Sequence, residues 1–125
     1  MTDLALQALD AAVRRGASYA DVRVEHRRGR SLATKNARIG HSSSIESMGA
    51  GIRVICQGAW GFAATSDLSA AGLESAAGLA VEIARASASA RRDPLVLAPE
   101  EAHRTIWVSP SSIDPFGVPV ERQLT

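Results

Sequence analysis

A chain of 125 residues is sized for one domain and can bury roughly two thirds of its unfolded surface. A net charge of +1 points to neither a nucleic-acid nor a membrane partner, and the single cysteine, Cys56, excludes an intramolecular disulfide. Hydrophobic residues make up 46% but aromatics only 4%, so the core must be built from Ala, Val, Ile and Leu in closely spaced layers.

In chain order, residues 3 to 15 read as a helix, with Leu6, Leu9 and Val13 on one face flanked by Ala5 and Ala12. Thr2 is the expected N-cap, Asp3 suits the positive end of the dipole, and Gly16 stands where a left-handed C-terminal cap belongs. Tyr19 to Arg27 alternates, Ala20, Val22 and Val24 on one side and Asp21, Arg23 and Glu25 on the other, which predicts a half-buried strand. A turn at Arg28-Gly29-Arg30, a strand over Ser31 to Lys35, a weaker turn at Asn36-Ala37 and a third strand from Arg38 to Glu46 follow. The serines 42 to 44 in that strand read as an edge or loop.

Gly49 to Thr65 predicts a hairpin turning at Gln57-Gly58. Ser66 or Ser69 then caps a helix running to about Ala88, whose narrow face of Leu73, Ala76, Ala77, Ala80 and Ala84 lets it lie close to a sheet. All five prolines fall after residue 93, so regular structure there should be sparse, apart from one short strand over Thr105 to Val108. The order predicts an α+β fold: a mainly antiparallel sheet with two helices on one face, over residues 1–93, then a proline-rich extended segment over 94–125.

The chemistry-bearing residues are scattered. His26, His41 and His103 lack partners at ligand spacing, and there is no H-E-x-x-H or C-x-x-C, so no metal centre and no catalytic group is expected in this chain. Cys56 sits in an apolar strand and reads as a buried structural thiol. Gly49-Ala50-Gly51 leads into a strand rather than following one into a helix, which argues against a phosphate loop. Arg23, Arg27, Arg28 and Arg30 form a basic patch that can contact phosphates, although Asp21 and Glu25 dilute its field and no aromatic is interleaved. No apolar run is long enough to span a bilayer and no signal-peptide pattern opens the chain, so a cytoplasmic location is the default.

Three stretches together resemble the N-terminal domain of the TldD/PmbA family, often labelled modulators of DNA gyrase: Gly16 to Arg23, Gly51-Ile52-Arg53-Val54 with Gly58 to Ala63, and Asp114 to Pro119. The resemblance implies a zinc metallopeptidase system whose H-E-x-x-x-H helix and later cysteine ligand lie in a C-terminal domain, a motif this chain lacks. It therefore implies a non-catalytic first domain, inactive alone, that contributes to a peptide cleft and to homo- or hetero-oligomeric assembly with a TldD/PmbA-type subunit. The catalytic and partner branches of the family share this N-terminal pattern. Arg53, Trp60 and Phe62 are the candidate cleft or interface residues, with Trp60 and Phe62 equally readable as core. The alternative is a free-standing nucleic-acid- or protein-binding module using the arginine patch.

Overall fold

The computed structural model describes residues 1–36 and 38–123. Helix α1 (Thr2–Arg14) is followed by strands β1 (Tyr19–Lys35), β2 (Arg38–Cys56) and β3 (Ala59–Thr65), helix α2 (Ala70–Ala88), a 3-10 turn (Pro115–Gly117) and a short helix α3 (Val120–Gln123). The sheet order is β1-β2-β3. Consecutive neighbours joined this closely must run antiparallel, because a parallel pair needs a crossover of a dozen or more residues. The α+β reading therefore holds.

Contacts divide the chain into two compact units, Met1–Gly29 with Ser44–Leu97 and Arg30–Ser43 with Ala98–Thr125. In the first, α2 lies across β3 and α1 packs on α2. Strand β2 pairs with β3 from Ala50↔Thr65 through Ile52↔Ala63 to Cys56↔Ala59. This register puts Ala50, Ile52, Val54 and Cys56 on the same face as Ala59, Gly61 and Ala63. They are buried with Leu73, Ala76, Ala77, Ala80, Val81 and Ala84 of α2 and Ala8, Ala11 and Ala12 of α1. Ala20, Val22 and Val24 of β1 pack against the same core, as their alternation predicts.

The turn at Gln57-Gly58 is present, with φ of 52° and 72°. Two consecutive left-handed residues give the twist that matches a two-residue hairpin. Arg91 Nε donates to the Gln57 carbonyl (2.8 Å) and the Leu95 amide to the Gly58 carbonyl (2.9 Å), so the chain leaving α2 folds back over the turn. Cys56 is buried, its thiol donating to the Gly16 carbonyl. The end of α1 is a Schellman cap: Gly16 has φ 95°, its amide reaches the Val13 carbonyl, and the Ala17 amide reaches that of Ala12.

Several local expectations are corrected. Thr2 lies inside α1, and Met1 at the cap position makes no side-chain cap bond. The buried face of α1 is Ala8, Ala11 and Ala12 with Leu4 against it, whereas Leu6 and Val13 are 54% and 58% exposed. The alanine stripe wins because α2 also presents small residues, and two such faces approach closely only if neither carries a large side chain. Arg28-Gly29-Arg30 makes no turn and is part of β1. Gly29 serves cross-strand packing instead: a Cβ there would lie 3.0 Å from Ile45 Cγ1. Likewise Ser42 to Ser44 are strand, and the expected third strand and the first arm of the hairpin are one element, β2. Asn36 has φ 52°, while Ala37, the other half of that expected turn, lies outside the described residues. Thr105 to Val108 form no strand, because nothing pairs with them among the described residues.

Of the two serines, Ser69 caps α2, its hydroxyl accepting from the Gly72 amide (3.1 Å). Asp67 supports the cap, its carboxylate accepting from the Ser69 amide (3.0 Å). Hydrogen bonds from the Ser69 amide and hydroxyl hold the Asp67 carboxyl below its ordinary value. A folded-state pKa that is depressed adds stability above the unfolded value and loses it as pH falls through the folded one. The expected result is that D67N flattens the acid limb of a urea-midpoint profile between about pH 6 and pH 2 relative to wild type. An acid limb of unchanged slope would show that the carboxylate is not held by this cap.

Candidate functional site

With both helices on one face of the first unit's sheet, the other face carries side chains of opposite register: Tyr19, Asp21, Arg23, Glu25 and Arg27 of β1, Gly49, Gly51 and Arg53 of β2, and Trp60, Phe62 and Ala64 of β3. Two features occupy this face.

The first is a polar and aromatic cluster beside the hairpin. Arg53 Nε and Nη2 both lie 2.8 Å from Asp21 Oδ2, and its guanidinium carbon is 4.8 Å from the centre of the Trp60 ring. Tyr19 meets Trp60 edge-on, with ring centres 6.0 Å apart. Hydrogen bonding to Asp21, and then its charge, raises the Arg53 pKa. Asp21, first through a hydrogen bond, and partial burial push the Tyr19 hydroxyl above its ordinary value. Both shifts keep Arg53 cationic and Tyr19 protonated at neutral pH. The cluster's geometry fixes Arg53 as a rigid platform between a carboxylate and an indole face.

The second is a hollow of about 670 Å³ on the same face. Its lining includes Asp21, Arg23, Glu25 and Arg27 on the β1 side, and Phe62, Ala64, Thr65 and Ser66 on the β3 side. Its floor carries two glycines. A Cβ on Gly51 would lie 3.0 Å from Phe62 Cε2, and one on Gly49 would lie 3.2 Å from the Thr65 carbonyl oxygen. The Phe62 ring therefore covers Gly51, while the ring itself remains 57% exposed.

Among the sequence-predicted residues, Arg53 and Phe62 line this hollow. Trp60 is half-buried beneath Arg53, so it braces the site rather than forming core. The arginines of the basic patch have different surroundings. Arg23 and Arg27 line the hollow, Arg27 ion-pairs with Glu25 at 3.6 Å, and Arg28 falls on the opposite register of β1. Arg30 belongs to the second unit, where its guanidinium donates to the carbonyls of Phe116 and Val118 and lies 5.8 Å from the Phe116 ring centre. There Asp114 caps the 3-10 turn by accepting from the Phe116 amide (2.9 Å). The parts that sequence reasoning missed, Asp21 and Tyr19, were visible only as the polar phase of an alternating strand.

The described residues do not fit a metal ion: no group of three His, Cys, Asp or Glu side chains converges. His26 faces Glu46 at 2.6 Å, a single exposed pair. No helix among the described residues is long and apolar enough to cross a membrane.

Comparison with known proteins gives one family and one fold. The family model described as PmbA/TldA metallopeptidase domain 1 matches residues 20–84. That span contains the Gly51 to Val54 and Gly58 to Ala63 segments but only the last part of Gly16 to Arg23, and it stops short of Asp114 to Pro119. The crystal structure of TldE from Thermococcus kodakarensis is similar with a TM-score of 0.68 and 15% identity, over 86% of this chain and 24% of that one. The chain thus spans about a quarter of that relative's length, and at this identity the likeness is one of fold. No curated protein matches the chain.

Proposed function

The chain belongs to the PmbA/TldA metallopeptidase domain 1 family, and on that premise we propose that it is a non-catalytic domain that helps form the peptide-accepting cleft and a subunit contact of a larger metallopeptidase. The observation that carries this reading is the hollow on the helix-free sheet face, beside β3. Strand β3 pairs with β2 on one side only among the described residues, so its outer amides and carbonyls can hydrogen-bond an extended peptide. The volume lies within the usual range for ligand sites, roughly 300–1,000 Å³. Arg53 and Phe62 stand where such a peptide would pass, Arg53 held by Asp21 and Trp60. The zinc that the family's activity calls for would be held by other parts of a longer protein, since the residues described here offer it no ligand set. A cytoplasmic location and a TldD/PmbA-type partner subunit go with this reading.

An isotope-labelled sample titrated with a short extended peptide is expected to show amide shifts along Ala59–Thr65 and around Gly49 and Gly51. The same sample given zinc and a peptide substrate is expected to hydrolyse nothing. Hydrolysis by the purified chain, or a titration that moves no amide on this face, would overturn the proposal. The arginine-module alternative gains no support from the geometry: Arg27 is paired with Glu25 and Arg30 is engaged by the second unit's own segment.

A further inference from the structure

The charges in the hollow do not cancel. Its lining holds two carboxylates, Asp21 and Glu25, and three guanidiniums, Arg23, Arg27 and Arg53. Arg53 is tied to Asp21 and Arg27 to Glu25. Arg23 makes no ion pair with any described residue, and it sits between the two acidic residues on the same face of β1. Because both carboxylates are already engaged, the uncompensated positive charge of the hollow resides on Arg23. Ser47, Thr65 and Ser66 add hydroxyls to the same lining, and Phe62, Met48 and Ala64 add apolar surface.

We propose that this hollow binds a peptide carboxylate next to an apolar residue, the carboxylate on Arg23 and the apolar side chain on Phe62 above Gly51. The inference rests on the peptide-cleft reading and names its ligand class. A guanidinium matches a carboxylate geometrically through two parallel hydrogen bonds, which a neutral amide cannot reproduce. Phe62 offers a ring face already fixed over backbone, so an apolar side chain can cover it with little further ordering. Gly51, lacking a Cβ, lets the Phe62 ring lie close on β2, so the ring forms part of the hollow's surface where a substituted residue would push it away. The carboxylate can come from a chain terminus or from an acidic side chain, and the chemistry at Arg23 is the same.

The test is an amide-shift titration of the whole chain with four probes: acetyl-Ala-Leu with a free carboxylate, its C-terminal amide, acetyl-Glu-Leu amide, and acetate. At least one carboxylate peptide is expected to bind about tenfold or more tightly than acetyl-Ala-Leu amide, shifting Arg23, Gly49, Gly51 and Ala64, and the tighter of the two identifies the source. R23Q is expected to reduce that peptide to the level of the amide. E25Q, which frees Arg27, is expected to tighten it about two- to threefold, a gain that a purely structural role for these residues would not produce. Equal binding of carboxylate and amide peptides, or indifference to both R23Q and E25Q, overturns the inference while leaving the cleft reading intact. Acetate shifting the same amides as strongly as the peptides also overturns it, because the site would then be a simple anion site. A face untouched by all four probes removes both.

Discussion

G61A is expected to lower the stability of the first unit by at least about 3 kcal/mol, beyond the ordinary cost of one added methyl group. Gly61 faces α2 from β3, and a Cβ placed on it would lie 1.9 Å from the Ala80 carbonyl oxygen, 2.6 Å from the Ala84 amide nitrogen and 2.9 Å from Ala84 Cβ. The first two are helix backbone, which cannot rotate aside as a side-chain end can. Helix α2 would have to lift from the sheet and open the contacts that bury Leu73, Ala77, Val81 and Ala84. On a domain this size the loss corresponds to a fall in melting temperature on the order of 10–20 °C, read by circular dichroism. A melt within about 2 °C of wild type would mean that α2 does not rest on Gly61.

I52A is expected to be the other severe change, at about 2–5 kcal/mol. Ile52 is fully buried, opposite Ala63, in a core whose other members are largely alanines. Small, already close-packed neighbours have little freedom to collapse into the space left by an isoleucine, so the cavity term adds to the lost transfer energy. F62A on the opposite face removes a larger side chain yet should cost less, because Phe62 is more than half exposed, its ring lying over Gly51. Denaturant midpoints of the two variants check the ordering. If F62A proved the more damaging, the helix-free face would be the true core side of the sheet.

The functional site was only partly legible in the residues. Arg53 and Phe62 could be named because they lie in a hairpin whose glycines and rings mark it out. Asp21 and Tyr19 could not, since in an alternating strand an outward carboxylate looks like any solvated residue until β2 brings Arg53 beside it. The surroundings of the basic patch are hidden in the sequence for the same reason. Four nearby arginines read as one field, yet strand alternation and ion pairing split them among the hollow, the opposite face of β1 and the Phe116 segment.

The sequence by itself determined the elements whose cause is local: the Gly16 cap on α1, the turn at Gln57-Gly58, a serine cap (Ser66 or Ser69) on α2, and the small-residue face of α2. Each depends on neighbouring residues in the chain, so propensity and spacing suffice. Tertiary structure alone decided which stripe of α1 is buried, that Gly29 packs against Ile45 instead of turning the chain, and that the helix-free face carries a hollow in which Arg23 has no ion-pair partner among the described residues. Those outcomes depend on what a residue meets across the sheet or against another helix, and pairing between distant residues leaves no periodic trace in either segment.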